Sequence, residues 1–320
     1  MFEAIGLVGI GLVLLAGGGE ALLRGAVALA AILRLPPAII GLTVVAAGTS
    51  LPELSVSVLA ALHDQPDIAV GNVVGSNIFN ITFVLGVCAL VRPLAITGNS
   101  IRLEYPVLAI VTLMMLALSQ DGVMNALDGI LCVSIYVLFT AYMVTLVRGK
   151  VSATEESELA AEVSELARGR SVLPALGWIA LGVVVLGLGA SLTVNGAIGL
   201  ARLAGLSERV IGLTIVAAGT SLPEVVASLV STVRGRDDIA IGNVIGSSIF
   251  NLLGILGLSA LFSPLPVHES IVRIDSLWMM GVTLLLFPLM FTRLRIDRWE
   301  GLVLLAGYGV YTASLLARPV

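Results

Sequence analysis

Glu53 and Glu224 are the residues of this chain whose type and surroundings most demand a chemical explanation. Each closes a polar motif set in apolar sequence, GLTVVAAGTSLPE at 41–53 and GLTIVAAGTSLPE at 212–224. A carboxylate in hydrocarbon-like sequence is costly and marks function by default. Each glutamate follows a proline, Pro52 or Pro223. That proline has no N–H to give the carbonyl four residues earlier, at Gly48 or Gly219, and its ring crowds the same turn. Carbonyls freed inside a membrane need a partner, and a bound cation would supply one. If the two carboxylates meet, they repel, and calcium, a hard cation taking about 6–8 oxygen ligands, would relieve that repulsion.

The neighbouring oxygens have the same character. Hydroxyls come from Thr49, Ser50, Thr220 and Ser221, and a second repeated motif, GNVVGSNIFN at 71–80 and GNVIGSSIFN at 242–251, adds Ser76, Asn80, Ser247 and Asn251. Within each copy the Ser and Asn stand four residues apart and so share a helix face, which Asn72 and Asn243 extend. Asn77 is matched by Ser248, which breaks the symmetry and ranks it below the others. With no His or Cys in the set, zinc and copper are disfavoured. Plainer readings apply to part of it: Gly71, Gly75, Gly242 and Gly246 read as helix-packing positions, and Ser and Thr hydroxyls often bond their own helix carbonyls. Packing does not explain a duplicated membrane glutamate beside a proline.

The elements that must position these residues follow from composition. The chain is 58% hydrophobic and 12% charged, which excludes an ordinary soluble domain. Mean hydropathy is +1.08, and the long apolar runs suit helices of roughly 20 residues rather than the short alternating strands of a barrel. The first twenty residues lack a positive n-region and read as part of a longer helix, not a removable signal. Cys88 and Cys132 lie in apolar segments without CxxC spacing and read as core residues. The expected fold is an all-α polytopic membrane protein of ten transmembrane helices in two inverted five-helix repeats.

Residues 1–147 form the first expected repeat, 148–172 an acidic linker and 173–320 the second repeat. Leu35–Ile96 aligns without a gap onto Leu206–Val267, at a constant offset of 171 residues and with about half the positions identical. An odd number of spans per repeat forces the second half to enter the bilayer upside down, a known transporter plan with the site near the midplane. Of the 17 Lys and Arg residues, 13 fall on the face shared by the connections after odd-numbered spans. That places the linker in the cytoplasm and both termini outside. Arg24 is counted with that face, with a position inside span 1 as the alternative. Its spacing from Glu20, four residues, favours an ordinary ion pair over a transport role.

In the motifs G-T-S-x-P-E and G-S-x-x-x-N, present in both halves, the sequence resembles the calcium/cation antiporter superfamily, specifically its prokaryotic sodium/calcium exchanger branch. The motif regions cover about two-fifths of the chain. The resemblance implies alternating-access exchange of Ca2+ for Na+ at a prokaryotic inner membrane, with long first and sixth helices sliding across a core of the other eight. It further implies that Glu53 and Glu224 are shared between calcium and sodium, that Thr49 and Thr220 contribute carbonyls and hydroxyls, and that Ala46 and Ala217 contribute carbonyls. Ser76 and Ser247 would give side-chain oxygens, Asn80 and Asn251 would flank the middle, and Ser50 and Ser221 would support the ligands. Some relatives carry an aspartate where Asn251 stands. Two carboxylates balance one Ca2+ or two Na+, so potassium co-transport is disfavoured and the sodium stoichiometry is open.

Competing functions are a calcium/proton antiporter, an intramembrane hydrolase with paired carboxylates, and a channel. Proton-coupled relatives place a glutamate soon after Gly-Asn in the second motif, where this chain has Val-Val-Gly-Ser and Val-Ile-Gly-Ser. A hydrolase lacks support from a Gly-x-Gly-Asp signature, and the histidines His63 and His268 fall in predicted loops, away from any serine triad. The expected partners are the lipid bilayer and the transported ions, with no cofactor, no nucleic acid and no obligate protein partner.

Overall fold

The computed structural model describes residues 1–33, 35, 37–96, 100–147, 172–204 and 217–317. Almost all of the expected acidic linker, and Gly212–Val216 of the second motif, lie outside the described residues. The protein is a helical membrane protein. Seven helices among the described residues are long and apolar enough to cross a bilayer, and the bent pair Pro37–Thr49 and Leu51–Leu62 makes up to eight. The helices Leu222–Val233 and Arg298–Leu316 stand where the other two expected spans fall.

The sequence repeat is also a repeat of elements. Leu51–Leu62 is matched by Leu222–Val233, and Pro66–Phe79 by Asp237–Ile249. Each of the latter pair runs into a π-helical stretch, Asn80–Val84 or Phe250–Ile255, before regaining α geometry. The two composite helices Pro66–Val91 and Asp237–Phe262 are the most deeply buried of the spans. Two short antiparallel bridges tie the halves together, Leu94–Ala95 with Arg295–Ile296 and Val123–Met124 with Leu265–Pro266. By contrast Ala126–Val147 leaves Leu127 and Leu138 exposed, as a lipid-facing helix should.

Two 32-residue helices, Phe2–Leu33 and Val172–Leu203, pack along each other. Their seam is glycine at seven-residue intervals, Gly11, Gly18 and Gly25 against Gly182, Gly189 and Gly196. A Cβ at Gly182 would lie 2.5 Å from the Leu22 backbone nitrogen, and one at Gly11 would lie 2.8 Å from the Gly189 carbonyl. Seven residues are about two helical turns, so the bare positions form one stripe and the backbones approach closely. Glycine abundance is spent here on contact between helices rather than on flexibility.

Arg24 lies inside Phe2–Leu33, so it does not belong with the connecting segments counted for orientation. Its expected ion pair with Glu20 forms at 3.0 Å. Glu20 also meets Arg234, at the end of Leu222–Val233, at 2.9 Å, joining the long helix to the rest of the protein. Cys88 and Cys132 are buried free thiols, as expected of core residues, and His63 and His268 fall outside the helices.

Candidate ion-binding site

The first motif breaks its helix where the proline demands it. The turn Ala46–Thr49 ends at Ser50, whose φ of −83° and ψ of 11° leave the helical region, and Leu51–Leu62 restarts at an angle of 48°. Pro52 sits in the first turn of the new helix, where its missing N–H has no intrahelical bond to forfeit. Ser221 and Pro223 repeat this geometry at φ −88° and ψ 8°. Glu53 and Glu224 therefore each fall in the first turn of a helix, where the macrodipole favours an anion.

Both glutamates are fully buried. Their serines bond crosswise. Ser221 Oγ donates to Glu53 Oε1 at 2.8 Å, and Ser50 Oγ donates to Glu224 Oε1 at 2.7 Å. Ser76 Oγ lies 3.3 Å from Ser221 Oγ, and Ser247 Oγ lies 3.4 Å from the Ala46 carbonyl, to which it donates. Thr49 Oγ1 is 3.3 Å from both the Ala46 carbonyl and Asn243 Oδ1. The central helices thus bring Ser76 and Ser247 to the broken ones. Asn80 and Asn251 are buried on the same central helices, each at the onset of a π-helical stretch.

Among the described residues, four oxygens of this set have no hydrogen-bond donor: Glu53 Oε2, Glu224 Oε2, Asn80 Oδ1 and Asn251 Oδ1. They form two pairs related by the repeat. A buried acceptor left unpaired costs about 1–3 kcal/mol, and more when charged. All four being acceptors, their common need is for a donor or a cation. Among the described residues no three His, Cys, Asp or Glu side chains gather, so beyond the two carboxylates the donors are neutral oxygens.

Thr220 is half-buried and, with Ser76, lines a cavity of about 530 Å3 whose wall also includes Asp67, Asn72, Asp275 and Tyr308. Ala217 opens the turn Ala217–Thr220. The packing expectation for the motif glycines holds on one side: a Cβ at Gly242 would lie 2.6 Å from the Ala38 carbonyl, and one at Gly246 would collide with the Leu42 carbonyl. Gly71 and Gly75 have no such neighbour among the described residues and line the cavity instead. The positions that repeat Ala38 and Leu42 fall at 209 and 213, outside the described residues.

Three features were missed or ranked low. Ser57 and Ser228 accept from Asn72 Nδ2 and Asn243 Nδ2, both at 2.9 Å, and so brace the glutamate-bearing helices against the central ones. A serine four residues after each glutamate was a signal available in the repeat. Asn77 is fully buried and bonds to Asn251, despite lacking a symmetric counterpart.

The model of the family described as sodium/calcium exchanger protein matches residues 3–145 and 174–317. The inner membrane protein YrbG of Escherichia coli is 35% identical over 316 residues, covering 98% of this chain and 97% of YrbG. The sodium/calcium exchanger MaX1 of Methanosarcina acetivorans is 31% identical over 338 aligned residues, covering 96% of each chain. A solved structure of the sodium-calcium exchanger NCX_Mj superposes with a TM-score of 0.84 at 30% identity, covering 98% of this chain and 99% of that one. Matched in both halves by the family model and along nearly its whole length by these relatives, the chain belongs to the sodium/calcium exchanger protein family of membrane antiporters.

Proposed function

We propose that the protein is a secondary active antiporter that exchanges Ca2+ for Na+ by alternating access and extrudes calcium from the cytoplasm. The observation that carries this reading is the two repeat-related pairs of donorless buried oxygens, on Glu53 and Glu224 and on Asn80 and Asn251. Carboxylate, carboxamide, hydroxyl and carbonyl oxygens suit hard cations such as Ca2+ and Na+ rather than soft ones. In this reading Glu53 and Glu224 hold either ion. Ala46, Thr49, Ser76 and their counterparts Ala217, Thr220 and Ser247 complete the oxygen set, and Ser50 and Ser221 orient the carboxylates.

The finer architecture belongs to the same proposal: ten helices in two inverted repeats, termini outside and linker in the cytoplasm. The paired 32-residue helices move against the remainder, and the cavity beside Ser76 and Thr220 is the route from one face. Names of relatives such as MaX1 support sodium as the counter-ion, as does the absence of an acidic residue soon after Gly-Asn in the second motif.

The test is calcium uptake into proteoliposomes holding the purified protein. Uptake is expected only under an outward sodium gradient, and Glu53→Gln or Glu224→Gln abolishes it. Uptake driven by a pH gradient alone, without sodium, would overturn the sodium assignment in favour of proton exchange.

A further inference from the structure

The carboxamide of Asn251 has two chemically opposite ends, and only its oxygen can face a cation. Its nitrogen is accounted for: Nδ2 donates to Asn77 Oδ1 at 3.0 Å, between fully buried residues 174 positions apart. Asn77 is itself held, since its Nδ2 donates to the Ser248 carbonyl at 3.1 Å and touches Met279 Sδ at 3.8 Å. A planar amide whose nitrogen is engaged as a donor has the identity of its other terminal atom fixed as oxygen. Asn251 Oδ1 is, among the described residues, one of the buried oxygens without a donor. Were Asn77 unable to accept, the Asn251 amide could rotate and present N–H groups where an oxygen is needed.

The other half does not repeat this device. Ser248 occupies the position of Asn77, and its hydroxyl donates back to its own helix, at the Val244 carbonyl, 2.9 Å away. Asn80 therefore gains no equivalent brace from that residue. We propose that Asn77 is a positioning residue that fixes Asn251 with its oxygen toward the transported ion, so that the two halves contribute unequally to a site built from a repeat. This rests on the reading of the site as an ion cage. Groups that orient a ligand from behind commonly matter about 10–100-fold in metal affinity.

The experiment measures the thermal midpoint of the purified protein in detergent, titrated with CaCl2 or NaCl against choline chloride. The protein carries Asn77→Leu, or Asn77→Ser, which installs the side chain of the other half. Both variants are expected to raise the half-saturating ion concentration, read relative to each variant's own ion-free midpoint, about 10–100-fold. The same substitutions are then made with Asn251→Asp, whose two oxygens make orientation immaterial. There the loss from Asn77→Leu or Asn77→Ser should largely disappear. Equal losses in both backgrounds would mean that Asn77 only packs, and unaltered ion affinity in the single variants would overturn the inference outright. If the unsubstituted protein is stabilised by neither salt, the ion-cage reading fails instead, so the two failures are distinguishable.

Discussion

Ser50 donates to Glu224, not to Glu53 three residues along its own chain, and this 2.7 Å bond spans 174 positions of sequence. With the reciprocal bond from Ser221 to Glu53 at 2.8 Å, each half orients the carboxylate of the other. Neither half can present a finished site by itself. That relationship explains why the G-T-S-L-P-E motif keeps its serine in both copies: the hydroxyl and the carboxylate it serves belong to different repeats.

Removing either hydroxyl should therefore act on the distant glutamate. Ser50→Ala and Ser221→Ala are each expected to weaken apparent calcium affinity about 10–100-fold, as loss of a ligand-orienting bond does. Calcium uptake measured against external calcium concentration checks this. Because the glutamate variants do not transport, the crosswise arrangement is read from calcium stabilisation of the thermal midpoint, where Ser50→Ala should add little to Glu224→Gln but act in full on Glu53→Gln.

Charge balance makes a second prediction. A cage with two carboxylates and otherwise neutral oxygens is neutral with one Ca2+ or two Na+, so exchange should move no net charge. Uptake into proteoliposomes should then be insensitive to a membrane potential clamped with potassium and valinomycin. Adding a third carboxylate by Asn251→Asp should make the rate depend on that potential. A strong voltage dependence of the unsubstituted protein would show that more positive charge enters the cage than its carboxylates balance.

The glycine seam sets a third expectation. A methyl group at Gly182 would lie 2.5 Å from the Leu22 nitrogen and 2.7 Å from its Cα, so Gly182→Ala must push the two long helices apart. Overpacking of this kind costs about 1–3 kcal/mol. Gly187, on the same helix, has nothing among the described residues within 4 Å of its added methyl, and Gly187→Ala should be neutral or slightly stabilising. Thermal denaturation of the two variants in detergent separates a seam that needs bare backbone from a helix that simply tolerates glycine.

A fourth prediction concerns the ion pair that joins a long helix to the rest. Glu20 reaches Arg234 at 2.9 Å while keeping Arg24 at 3.0 Å, and all three side chains are partly exposed. Such a pair contributes little stability, about 0–1 kcal/mol. If the long helices move against the core, however, the bond across the boundary is broken in every cycle. Arg234→Gln should alter the exchange rate with little change in thermal midpoint. Arg24→Gln, which removes the bond to Glu20 and a cation–π contact 6.0 Å from the ring centre of Trp178, both within the pair of long helices, should leave the rate close to that of the unsubstituted protein.

Legibility in the sequence followed the range of each interaction. Helices, their break at Ser50 and the pairing of Arg24 with Glu20 depend on residues a few positions apart, and they were readable from proline chemistry and helical spacing. Arg24, counted with a connection but with a position inside span 1 as the alternative, lies inside the helix. Asn77 ranked below the others for breaking the repeat. Its bond is to Asn251, a partner on a different helix that no spacing rule points to.

What the sequence determined by itself is an inventory: a membrane chain, a duplicated motif, two costly carboxylates and a supply of hard oxygens, all consequences of composition, periodicity and local backbone chemistry. Tertiary structure alone decided which oxygen serves which carboxylate, that Asn251 is held by Asn77, and that glycines close one helix seam tightly. A serine hydroxyl can bond its own helix, its own glutamate or a distant one at similar local cost. Only the packing of one half against the other, which fixes where the two broken helices end, selects among them.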